Sequence, residues 1–116
     1  MNLDTRTTRL INNSLKVLKQ QDLFLNQLKE SLLNGSNVPN TYIFKKEKEK
    51  QRGIIIEQMR FVVTLKEILQ TLSPSNEVLF LSKNIDKIQL EIKNNIHSIM
   101  LLETDYFIIQ SDIFYA

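Results

Sequence analysis

Leu81-Ser82-Lys83-Asn84-Ile85-Asp86-Lys87-Ile88-Gln89-Leu90-Glu91-Ile92 opens the stretch that decides the fold. Its apolar row continues through Ile96, Ile99, Leu102, Tyr106, Ile109 and Ile113, always in steps of three or four. Such steps return to one side of an α-helix, whereas a strand repeats every second residue. The spacing therefore predicts one long helix over about 75–115. Ser73 is placed to cap it, with Pro74 at the first helical position, where a missing N–H removes no hydrogen bond.

Working outward, the breakers gather at Ser73-Pro74-Ser75-Asn76 and at Asn34-Gly35-Ser36-Asn37-Val38-Pro39-Asn40. Between them, about 41–72, Ile54, Phe61, Leu65, Ile68 and Leu72 form one row, and Ile55, Met59, Val62 and Leu69 form the next. This face is broad enough to touch two neighbouring helices. Gly53, unfavourable inside a helix by about 1 kcal/mol against Ala, marks a place for a bend or fray. In the first segment, about 4–34, Ile11, Leu15, Leu18, Leu25, Leu28 and Leu32 form the row, widened by Leu10, Val17 and Phe24 and interrupted at Gln21 and Asp22. Gly35 suits a left-handed C-terminal cap.

A chain of 116 residues with 2 Gly and 2 Pro has too few turn formers for a sheet protein and fits one domain. Short connections make neighbouring helices antiparallel. The expectation is an all-α, elongated antiparallel three-helix bundle with coiled-coil-like seams. The stretch from Ile96 to Ala116 has no Lys or Arg and is apolar nearly all round the helix at 99–102 and 106–109. Two readings stay open for it: bundle core with an overhang, or an exposed contact for a partner.

The chemistry that these residues can carry is limited. With 0 Cys there is neither disulfide nor thiolate, and the single imidazole, His97, has no carboxylate beside it to orient it as a base. No glycine loop, HExxH or Glu-x-x-His pair occurs, so neither an enzyme nor a metal or other cofactor is expected. The start of the chain has no apolar run of a signal peptide, and no segment is apolar enough to span a bilayer. A cytoplasmic protein is the default expectation, as monomer or homodimer. The densest charge run, Lys45-Lys46-Glu47-Lys48-Glu49-Lys50-Gln51-Arg52, is net +3 in a chain of net charge +2. It reads either as a solvated helix face or as a docking face for an acidic partner. Nucleic acid is not expected, because no aromatic residues interleave the run.

Two stretches resemble the tubulin-binding cofactor A family of small helical chaperones. Leu10-Ile11-Asn12-Asn13-Ser14-Leu15-Lys16-Val17-Leu18-Lys19-Gln20-Gln21 is similar to the family's first helix, with Lys16 and Leu18 matching. Tyr42-Ile43-Phe44-Lys45-Lys46-Glu47 is similar to the start of its second helix, with Tyr42, Lys45 and Lys46 matching. The resemblance implies capture of a β-tubulin folding intermediate without nucleotide or metal. It makes Tyr42, Lys45, Lys46, Lys48, Lys50 and Arg52 the candidate partner-binding residues, since tubulin is acidic. The alternative expectation is a small coiled-coil subunit of a larger assembly, such as a kinetochore, export or secretion complex.

Overall fold

The computed structural model describes residues 5–33 and 41–115, with side chains for 5–30 and 42–108. These residues form α1 (Thr5–Leu33), α2 (Thr41–Thr71) and α3 (Asn76–Tyr115), and the described residues contain no strand. The expected all-α three-helix bundle is what the chain adopts, with dimensions of 64 × 19 × 18 Å. The expected cap at Gly35, and the rows at Leu32, Ile109 and Ile113, lie outside the described residues and side chains.

α3 holds the bundle together. It packs along both α1 and α2, while those two approach each other far less closely. The broad contact expected of α2 therefore belongs to α3. Its buried seam is Leu81, Ile85, Ile88, Ile92, Asn95, Ile99, Leu102 and Tyr106, in strictly alternating steps of four and three. That alternation averages 3.5 residues, the repeat that keeps a seam facing its neighbours along a coiled coil. Asn95 thus stands where Ile96 was expected, and Ile96 is 37% exposed. Ile11, Ser14, Leu18, Gln21 and Leu25 form the facing seam of α1, so Gln21 continues the buried face instead of breaking it. α2 contributes Phe44, Gln51, Ile55, Val62 and Leu65, with Phe61, Ile68 and Leu69 packed around them, whereas Met59 is exposed.

The α2–α3 turn and Gly53 both depart from expectation. The cap of α3 is Ser75 and not Ser73: the Val78 N–H donates to Ser75 Oγ at 3.3 Å, and the Leu79 N–H donates to the Ser75 carbonyl at 3.1 Å. The same N-cap chemistry acts two residues later, which leaves Pro74 to shape the turn outside the helix. α2 runs unbroken through Gly53. Gln51 and Ile55 are both buried on its flanks, so packing carries the helix across its weakest residue.

One level of the core is polar. Gln21, Gln51 and Asn95, one from each helix, meet there and are all buried. Gln21 Nε2 donates to Gln51 Oε1 at 2.9 Å and to the Gln51 carbonyl at 3.0 Å. Asn95 Nδ2 donates to Gln21 Oε1 and to the Leu18 carbonyl, both at 3.0 Å. Gln51 Nε2 reaches Glu47 Oε1 at 3.0 Å, while the buried Asn95 Oδ1 has no hydrogen-bond partner. A further bond, from Ser14 Oγ to Gln58 Oε1, joins α1 and α2 one heptad away. Its position, seven residues back on α1 and seven forward on α2, is what an antiparallel pair requires.

Removing one member of this layer strands the others, whereas removing all of them strands nothing. Gln21→Leu alone is expected to lower stability by about 1–3 kcal/mol. The triple change Gln21→Leu, Gln51→Leu, Asn95→Ile is expected to restore stability to the starting level or above it, since buried apolar replacements avoid desolvating amides. Urea denaturation of both variants checks this. A triple variant as weak as the single one would show that the layer is not an isolated network.

Candidate protein-binding surface

The lysine-rich run lies in the first half of α2, and from Phe44 to Arg52 only Phe44 and Gln51 are buried. Lys45, Lys46, Lys50 and Arg52 are exposed and Lys48 is half-buried. The helical repeat divides them between sides. Lys45 and Arg52, seven apart, share the side that continues into Ile56, Met59 and Val63. Tyr42, Lys46 and Lys50, at steps of four, share another, and Lys46 Nζ stands 5.8 Å from the centroid of the Tyr42 ring. Lys48 borders a cavity of about 20 Å³ lined also by Leu25, Phe44, Ile99 and Leu102. The six candidate residues therefore form two charged edges of one helix and not a single patch.

Arg52 is the cation of the run that forms an ion pair. Its Nη2 donates to Glu103 Oε1 of α3 at 2.6 Å, the one ion pair among the described residues. With the Arg52 side chain 55% exposed, the pair lies in water and adds little stability, but it ties α2 to α3 at that level.

Beside that pair lies an apolar surface, of which the sequence rows include Met59 and Ile96 but neither Ile56 nor Val63. Ile56, Met59 and Val63 of α2 and Ile96 and Met100 of α3 are all exposed. They line two clefts between the helices that meet at Ile96. The signal was present in the spacing. On both helices a second row runs one residue beyond the buried seam: Arg52, Ile56, Met59, Val63 and Lys66 on α2, and Lys93, Ile96, Met100, Glu103 and Phe107 on α3. Two adjacent rows at heptad spacing mark a helix with contacts on two sides. Within 96–108 the apolar stretch divides between core and surface. Ile99, Leu102 and Tyr106 are buried, while Met100, Leu101, Phe107 and Ile108 are exposed.

His97 stands exposed on α3. Among the described residues no group of three His, Asp or Glu side chains converges as a metal site would need, and no helix is long and apolar enough to cross a membrane. Set against family models, curated proteins and solved structures, the chain matches none of them.

Proposed function

We propose that the chain is a non-enzymatic helical adaptor or chaperone that binds another protein, with a β-tubulin folding intermediate as the candidate partner. The observation that supports protein binding is the row of large apolar side chains left in water beside a core that is already filled. Tubulin as the partner rests on the resemblance at Tyr42, Lys45 and Lys46, and on the two basic edges of α2 on which these residues lie. β-Tubulin diluted from denaturant into the purified protein is expected to co-elute with it on size exclusion. Reversing Lys45, Lys46, Lys48 and Arg52 to Glu is expected to weaken capture by about tenfold or more, with the thermal melt still cooperative. Capture unchanged by the four substitutions would remove the basic edges from the interface.

The second reading is a small coiled-coil subunit of a larger assembly. The strict heptad seam of α3 and the exposed Phe107 and Ile108 near its end favour it. Sedimentation separates the two: a monomer at micromolar concentration suits the adaptor, and an obligate oligomer suits the subunit.

A further inference from the structure

We infer that the cleft between α2 and α3 is a docking groove for one amphipathic helix of another protein, acidic at the end that meets Lys66 and Lys93. This rests on the reading of the chain as a protein-binding module and names its surface. The floor of the groove is the set of exposed side chains Ile56, Met59, Val63, Ile96 and Met100. From Arg52 to Lys66 it runs about 21 Å at 1.5 Å per residue, the length of a four-turn helix. Parallel rows of knobs on two neighbouring helices present the holes into which a further helix packs.

Charge selects the occupant. At one end of the groove Arg52 is neutralised by Glu103. At the other, Lys66 and Lys93 line the same cleft, and no carboxylate pairs with either among the described residues. Two like charges at one cleft repel each other, and carboxylates of an incoming helix relieve that repulsion while pairing with both. A second copy of this chain fits less well. The groove, about 21 Å by two helix diameters, offers on the order of 400 Å² per partner, half of the roughly 800 Å² typical of a stable interface. That area suits a single helix that binds and leaves.

The test uses a fluorescent, helix-stabilised peptide of about 15 residues, four turns long. It carries leucines on one face and glutamates at one end, and a twin carries lysines in place of the glutamates. The intact protein is expected to bind the glutamate peptide and to discriminate against the twin. Met59→Glu with Met100→Glu is expected to weaken binding by about tenfold or more, since a charge would be left against apolar side chains. Leu23→Glu, on α1 away from the groove, is expected to leave binding unchanged. Lys66→Glu with Lys93→Glu is expected to reverse the preference toward the lysine twin, a gain that misfolding does not produce. Equal binding of the two peptides, absence of binding, or equal loss at Leu23 would overturn the groove. So would a dimer in sedimentation that Met59→Glu splits, which would make a second copy the occupant. Capture of β-tubulin with no peptide binding would overturn the groove alone and leave the adaptor reading standing.

Discussion

Truncating Phe44 to alanine is expected to lower stability by about 3–5 kcal/mol, the range for deleting a buried aromatic ring. The ring is 7% exposed and stacks on Tyr106, with centroids 3.9 Å apart and planes 8° from parallel. It also walls the small cavity beside Leu25, Ile99 and Leu102, so its loss enlarges a void that already exists. A domain of this kind has a total stability of about 5–15 kcal/mol, so the variant sits near its limit. The effect reaches the charge run as well. Between Phe44 and Gln51 every side chain of α2 is charged, and the helix there is held down at its ends. Without Phe44 the amides of 44–50 are expected to exchange far faster than those after Ile55, by native-state hydrogen exchange. Phe44→Leu is expected to lose less in both measurements. A loss below about 1 kcal/mol would mean that propensity and surface charge hold this segment unaided.

The second large effect separates two isoleucines that sequence alone treats as equivalent. Ile88→Ala is expected to destabilise the bundle by about 2–5 kcal/mol, because the side chain is 0% exposed and α1 and α2 both close over that face of α3. Ile96→Ala is expected to cost about 1 kcal/mol or less, in keeping with a side chain that faces the cleft. Urea midpoints for the two variants decide it. Similar losses at both positions would place Ile96 in the core and dissolve the groove.

The reason Ile96 misleads is angular. At 100° per residue it stands about 80° round the helix from Ile88, whereas Asn95 stands about 20° from it. Counting apolar residues selects the isoleucine, and geometry selects the amide. Gln21 was read as a break for the same cause. A buried amide is stabilised by partners on other helices, and a single helix read alone does not display them. The helices themselves were legible, because the long row from Leu81 to Tyr106 and the scarcity of Gly and Pro leave little else to build. The turn before α3 was legible in kind but not in position, since Ser73 and Ser75 are both able to cap and only the path of the chain through Pro74 decides between them. The candidate surface was half legible. The lysine run is conspicuous, but its division between two edges follows from phase, and of the apolar cleft beside it Met59 and Ile96 fall into rows that the spacing alone sends inward.

The central place of α3 bears on how the chain assembles. Its junction with α2 spans only a few residues, so bringing those two together closes a small loop at little entropic expense. α1 reaches α3 only across the whole of α2, a much longer closure, with hydrogen bonds at Gln21–Gln51 and Ser14–Gln58 tying it to α2. The C-terminal hairpin is therefore expected to form first and α1 to dock last, an order that pulse-labelling hydrogen exchange checks. With α1 displaced, what remains is a two-helix platform whose inner wall is open.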